Sequence, residues 1–335
     1  MITLFGGEPL LEYKLIKEIV EYSKHNNGSQ VDFRISTNGT LLTREMLDFF
    51  QSNRIYFTLS LDGNRQQHDS LRKFPNDRGS FDTIDAKLDD ILAFNRYTMA
   101  VSVVTPETVD MVADGVKSLF KRGFRYVLQT LDYSAPWKDD SIKSLKKQYL
   151  QLVEYYYKSL TDGKKIYYSP FDERIKTWAQ KPYGKGDLCD IANTQLAIAP
   201  SGRIYPCVQF IGEDNEEESV NSIGDVYNGF DIDKRKYFIE KNYSDREPCN
   251  GCVLNGRCAN YCGCVNWRAT GEIDRIPPII CEHERMLMPI VDRLANKLWK
   301  RNNSLFKRKF YDKSFPVSSY IEDCLIMKGG VKDGN

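Results

Sequence analysis

The sequence predicts an α/β protein. The expected architecture is a partial parallel (β/α) barrel, N-terminally truncated, followed by a small cysteine-rich domain and a C-terminal helix. Three features carry this expectation. Short β-branched runs alternate with amphipathic helical runs over residues 2 to 131. A short polar or glycine-bearing motif closes strand after strand in that series. Eight of the nine cysteines then crowd between Cys189 and Cys281.

Ile2 to Phe5 reads as a strand that stops at Gly6-Gly7. Pro9 then opens a helix with Leu11, Leu15, Ile16, Ile19 and Val20 on one face, a 3.6-residue period. Strands are expected at 31–35, 55–60, 99–104 and 126–131. Helices are expected at about 43–52, 81–94 and 110–121. Strands separated by helices must run parallel, because the crossover returns each strand in the same direction. From about Asp132 the pattern changes. Residues 145–160 and 171–179 read as helices, the first rich in tyrosine. Residues 181–283 are glycine- and cysteine-rich with few periodic runs, as in a small domain where ligands replace a missing core. A last helix is expected over 284–299, with Leu287, Ile290, Val291, Leu294 and Leu298 as a buried stripe despite Pro289. The boundaries expected are thus 1–131 for the truncated barrel, 132–186 for a bridging helical region, 187–283 for the cysteine-rich domain and 284–335 for the final helix and basic tail. Lys307-Arg308-Lys309, interleaved with Phe306 and Phe310, reads as a mobile surface tail. The acidic run at 213–218 reads as a solvated loop.

The strand-end motifs are Gly6-Gly7-Glu8-Pro9, Ser36-Thr37-Asn38-Gly39, Ser60-Leu61-Asp62-Gly63 and Val104-Thr105-Pro106. Any one could be an ordinary βα turn. Four at one edge point to a ligand rim, because parallel barrels carry their ligands at the C-terminal ends of the strands.

The bulk numbers exclude rather than identify. The chain has 335 residues and a formal net charge of +1, which gives no global pull toward nucleic acid or membrane. No apolar run nears the ~18 residues of a membrane span. No signal peptide is visible, so a cytoplasmic location is expected. That compartment keeps thiols reduced and argues against a disulfide framework.

The cysteine spacing is Cys189-x12-Gly202-x4-Cys207, then Cys249-x2-Cys252-x5-Cys258-x3-Cys262, then Cys264 and Cys281. A zinc ribbon would offer two CxxC pairs, whereas only one is present. Eight positions suffice for two four-iron clusters with interleaved ligands, and nearby glycines would let backbone N–H groups approach cluster sulfides. By spacing alone, iron–sulfur, zinc and disulfides all stay open, in that order.

This string resembles the SPASM domain of radical S-adenosylmethionine (SAM) peptide and protein maturases, including the anaerobic sulfatase-maturase-like group. Phe5-Gly6-Gly7-Glu8-Pro9 resembles the "GGEP" motif of those enzymes. Ser36 to Gly39 and Ser60 to Gly63, followed by His68-Asp69 and Arg72, resemble their later rim motifs. The resemblance covers nearly the whole chain. It implies S-adenosyl-L-methionine bound near Gly6, Gly7, Glu8, Pro9, Asn38, Ser60, Asp62 and Arg72. It also implies two auxiliary [4Fe–4S] clusters. Cys249, Cys252, Cys258 and Cys281 would hold one. Cys189, Cys207 and Cys262 would hold the other, whose fourth iron is open, water-bound or taken by Cys264. Cys324 falls outside the pattern and reads as a plain thiol. The implied activity is modification of a ribosomally made peptide or protein through a 5′-deoxyadenosyl radical, with a reductant such as a flavodoxin or ferredoxin.

Two departures qualify that picture. Radical SAM chemistry begins at a cluster held by Cys-x3-Cys-x2-Cys, yet no cysteine precedes Cys189. Either Met1 is an internal methionine of a longer enzyme, or the chain is a shortened product that binds clusters and transfers electrons without making a radical. A structural zinc protein is a third reading. Secondly, sulfatase-maturing enzymes place an acidic base after the second cysteine of the auxiliary site, whereas Val208 follows Cys207 here. Valine cannot accept a proton, which favours a small ribosomal peptide over a sulfatase. His25, His68 and His283 are the only imidazoles. His25 reads as surface, and His283 as supporting or exposed rather than catalytic. No catalytic residue is assigned.

Overall fold

The computed structural model describes residues 1–26, 31–184, 187, 189–215, 218–258 and 262–328. Six strands form one sheet in chain order: β1 (Ile2–Leu4), β2 (Phe33–Thr37), β3 (Ile55–Ser60), β4 (Met99–Val104), β5 (Tyr126–Leu131) and β6 (Tyr167–Tyr168). Every pairing is parallel, so each connection is a crossover. The crossovers carry α1 (Tyr13–Asn26), α2 (Arg44–Ser52), α3 (Arg65–Leu71), α4 (Phe81–Asp85), α5 (Leu88–Phe94) and α6 (Val112–Arg122).

Alternation along the strands sets the two faces. Phe33, Ile35, Ile55, Phe57, Leu59, Ala100, Val104, Val127 and Leu131 join helix residues such as Val20, Phe50 and Leu88 in the main core. The opposite face presents Ser36, Thr58, Ser60, Val101, Val103 and Thr130, none of them fully buried. The sheet thus has a closed apolar side and an accessible, more polar side, as the partial barrel requires.

The single helix expected over 81–94 is broken at Ala86-Lys87. There Lys87 N donates to Ile84 O at 2.9 Å, a tighter i→i+3 turn, while Ile84, Leu88 and Ile91 stay fully buried. α3 was invisible to a periodicity search, because its buried residues are Gln67 and His68. It starts where the Asn64 side chain accepts from Gln67 N at 3.0 Å.

Helices α7 (Asp139–Thr161), α8 (Ser169–Ala179) and α11 (Pro278–Lys300) pack together beside β5 and β6. The expected α11 stripe is found: Leu287, Ile290, Val291, Leu294 and Leu298 are all buried. Pro289 lies on the exposed side of that helix. The basic tail, read as mobile, instead forms α12 (Ser304–Tyr311) and α13 (Phe315–Lys328). Phe306 and Phe310 enter the main core, and Lys309 pairs with the buried Asp172 and donates to Ile166 O at 2.5 Å. Aromatic residues at i and i+4 supplied the apolar face that the charges concealed.

The cysteine-rich region holds two short antiparallel ladders, β7 (Ala197–Ile198) with β8 (Ile204–Tyr205) and β9 (Gly224–Asp225) with β10 (Gly229–Phe230). It also holds α9 (Ile232–Tyr243) and α10 (Gly263–Thr270), which sequence patterning did not find. A second apolar core forms here around Ile191, Ile204, Tyr205, Phe210, Ile223, Phe238 and Ile273, with Cys207 and Cys264 among its members. The region therefore has a core of its own. In the acidic run, Glu213 is exposed, and Glu216 and Glu217 lie outside the described residues. Among the described residues no helix is long and apolar enough to cross a membrane.

Candidate functional site

At the C-terminal ends of β1 and β2, Glu8 fastens two strand-end loops together. Its Oε1 accepts from Leu10 N at 3.0 Å, capping the 3-10 turn at Pro9–Glu12, and from the Thr37 hydroxyl at 2.8 Å. Its Oε2 accepts from Asn38 N at 2.7 Å. Thr37, 1% exposed, accepts in turn from Gly39 N at 3.0 Å. The Asn38 side chain turns back on its own loop, accepting from Thr40 N at 2.9 Å. Gly39 has φ +76°, and an added Cβ would lie 2.4 Å from Leu59 Cδ1, so only glycine fits. Gly6 and Gly7 are exposed, and a Cβ on either would meet no protein atom within 4 Å.

The register sets Thr37 against Leu59, so Asn38 lies beside Ser60 at the same edge. Asp62, 1% exposed, accepts from Val103 N at 2.7 Å and pairs with Arg72. His68 completes this knot. Its Nδ1 accepts from Asp62 N at 3.3 Å, so Nε2–H donates to Ser80 Oγ at 2.9 Å, and that hydroxyl donates to Arg72 O at 3.1 Å. Burial holds the His68 pKa down to about 4, so the ring is neutral near pH 7. The predicted rim residues therefore gather at one sheet edge. The side chains of Glu8, Asn38 and Asp62, however, are engaged within the protein. Ser80 was missed by sequence reading; it stands at the N-cap position of α4, outside the rim motifs.

The cysteines fall into two groups, and no disulfide joins any of the nine. In the first, the buried Cys264 thiol hydrogen-bonds both Cys207 and Cys262. Cys262 stands at the N-cap position of α10, beside the backbone N–H groups of that helix's start. Sharing of the single Cys264 proton is the main cause that lowers both Cys262 and Cys207. Cys264, sharing its proton, is raised. Cys189 lies within electrostatic reach of Cys262 and Cys207, and burial first, then those charges, push it up to about 11. In the second group, Cys281, in the first turn of α11, lies within electrostatic reach of Cys249 and Cys252. Among the described residues no three His, Cys, Asp or Glu side chains are arranged to hold a single metal ion. A four-thiolate donor set fits the larger iron–sulfur cube, which takes its cysteines at separate corners. Arg246, which sequence reading passed over, is buried within electrostatic reach of Cys249, Cys258 and Cys262.

His283 is buried, not exposed. Its Nε2 lies 2.9 Å from the Tyr149 hydroxyl and its Nδ1 3.5 Å from that of Tyr133. Burial lowers its pKa to about 4. The next residue, Glu284, makes a buried ion pair with Arg174, with Nε to Oε2 at 3.1 Å. His25 is exposed and Cys324 lies in α13. A cavity of about 440 Å³, lined in part by Tyr97, Arg125, Tyr126 and Tyr167, lies at the N-terminal ends of β4 to β6, the edge opposite the rim.

Residues 1–127 match the family model described as the Radical SAM superfamily. A cysteine-type anaerobic sulfatase-maturating enzyme of Clostridium novyi (strain NT) is 23% identical over 276 residues, covering 77% of this chain and 71% of that protein. The radical SAM cyclopropyl synthase TigE of Paramaledivibacter caminithermalis is 21% identical over 323 residues, 91% of this chain and 61% of that one. The solved structure of native anSMEcpe with bound AdoMet and Cp18Cys peptide superposes with a TM-score of 0.70 at 17% identity, covering 88% of this chain and 85% of that chain. That likeness is one of fold.

Proposed function

Residues 1–127 form a radical SAM domain, and on that premise we propose that the chain belongs to an enzyme modifying a ribosomally made peptide or protein. Bound S-adenosylmethionine would supply the 5′-deoxyadenosyl radical, and two auxiliary [4Fe–4S] clusters a place for electrons. The observation that carries this reading is the joining, in one chain, of a radical SAM domain with thiols that gather into two groups.

Each part of the chain has a role in this reading. The open backbone at Gly6 and Gly7 leaves room for the methionyl end of the cosubstrate, with Pro9 and Ser60 nearby. Glu8, Asn38, Asp62 and Arg72 shape the loops around it. Cys249, Cys252, Cys258 and Cys281 would hold one cluster, and Cys189, Cys207 and Cys262 the other. The contacts of Cys264 with Cys207 and Cys262 support Cys264 as that cluster's fourth thiolate. The radical-generating cluster is different, because residues 1–188 contain no cysteine and so do not fit it. No step is assigned through it, and the activity is proposed for this chain together with a segment carrying Cys-x3-Cys-x2-Cys. For the substrate, Val208 beside Cys207 supports a small peptide over a sulfatase. A flavodoxin or ferredoxin would be the reductant.

The test is to express the chain with its upstream coding sequence, reconstitute it anaerobically, and add S-adenosylmethionine and dithionite. The expected product is 5′-deoxyadenosine. If no start site yields it while the clusters load, the second reading stands: an iron–sulfur protein that binds or transfers electrons, which the cysteine-free residues 1–188 favour.

A further inference from the structure

Arg246 stands three residues before Cys249 and is 7% exposed. Its Nη2 donates to Asn242 O at 3.3 Å, near the end of α9. Its Nε is buried without a partner among the described residues. Asp274 lies within its electrostatic reach, but that carboxylate is bound at 2.9 Å by Lys241 and at 3.1 Å by Ser244. A guanidinium taken out of water needs a counter-charge, since the cost of an unpaired buried ion is several kcal/mol. Besides Asp274, the groups within its reach that can supply one are sulfurs. Cys249, whose N donates to Arg246 O at 2.8 Å, belongs to one thiol group and Cys262 to the other, and Cys258 lies within the same reach.

We infer that Arg246 is a counter-ion shared by the two auxiliary clusters and raises the reduction potential of both. The inference rests on the two-cluster reading above. A four-thiolate cluster is an anion whose negative charge grows by one on reduction. A fixed cation near it therefore stabilises the reduced state more than the oxidised one. Within reach of sulfurs of both groups, Arg246 would act on both centres at once. It would also offset their mutual repulsion when both are reduced. This is a tuning role exerted through the clusters, distinct from its hydrogen bond to the α9 carbonyl.

The experiment is a potentiometric titration followed by electron paramagnetic resonance on reconstituted wild type, Arg246→Gln and Arg246→Lys. Iron and sulfide are counted first on the wild type. Failure to load two clusters there defeats the two-cluster reading itself and is seen before any variant is compared. With wild type loaded, Arg246→Gln is expected to lower the midpoint potentials of both auxiliary centres, and Arg246→Lys to hold both near wild type. Unchanged potentials in a fully loaded Arg246→Gln protein would overturn the inference, as would a shift confined to one centre. Should Arg246→Gln not take up iron, Arg246→Lys decides. Normal loading with wild-type potentials supports the shared charge; lost iron or lowered potentials despite the retained charge contradict it.

Discussion

Replacing Glu8 by glutamine probes how the rim is held together. The Glu8 carboxylate accepts three hydrogen bonds, two at Oε1 and one at Oε2. An amide oxygen in place of Oε1 can still take Leu10 N and the Thr37 hydroxyl. The amide NH2 would then face Asn38 N, donor against donor. One charge-assisted bond is lost, a term of about 1.5–3 kcal/mol, and water can replace part of it because Asn38 is only half-buried. The expected loss is about 2 kcal/mol, or roughly 3 °C in Tm for a chain of 335 residues. Glu12→Gln, one turn on and exposed, should move stability by less than about 0.5 kcal/mol. Urea and thermal unfolding followed by far-UV circular dichroism, under reducing anaerobic conditions, would measure both variants. If Glu8→Gln unfolds like Glu12→Gln, the carboxylate is not what joins the first two rim loops.

Further expectations concern the buried charges and imidazoles. His68 and His283 both have folded pKa values of about 4, below the ordinary ~6.5, so the unfolded chain binds protons first. Stability should be flat above about pH 7 and fall as pH drops from about 6.5 toward 4, by roughly 3 kcal/mol per histidine at most. His68→Gln and His283→Gln should each flatten part of that slope in urea titrations across this range, and an unchanged slope would contradict the assignment. Arg174→Met removes the guanidinium from the 1%-exposed Glu284 and should cost about 3–5 kcal/mol, with Glu284→Gln added in the same chain recovering most of it. A neutral Arg174→Met would show that the pair does not tie α8 to α11. Lys309→Met strips the cation from buried Asp172 and should lower Tm, whereas a mobile tail would leave Tm unmoved.

Much of the sheet was legible because parallel strands and their crossover helices write strong apolar periods. Ile35, Phe57 and Val104 are buried where alternation put them. α3 was not legible, since its buried residues, Gln67 and His68, are polar and write no apolar period. The C-terminal helices were obscured by Lys307-Arg308-Lys309, where a paired, buried lysine looks in sequence like a solvated one. At the site, cysteine spacing singled out thiols that gather into two groups, and the glycine motifs singled out the strand-end rim. Their division of labour was not visible. Whether Glu8 faces a ligand or its own loop depends on Thr37, 29 positions away in sequence but hydrogen-bonded to it at 2.8 Å once β1 and β2 pair. Arg246 escaped because a lone arginine carries no spacing signal; its meaning lies in burial within reach of sulfurs from both thiol groups.

The measurement that bears most directly on the account is an iron and acid-labile sulfide count, with Mössbauer spectra, on the anaerobically reconstituted 335-residue chain. Because the cysteines all lie from Cys189 onward, two auxiliary centres should give about eight iron and eight sulfide per chain, all in [4Fe–4S] form. Stoichiometric zinc, or iron near or below about four per chain, would contradict the account.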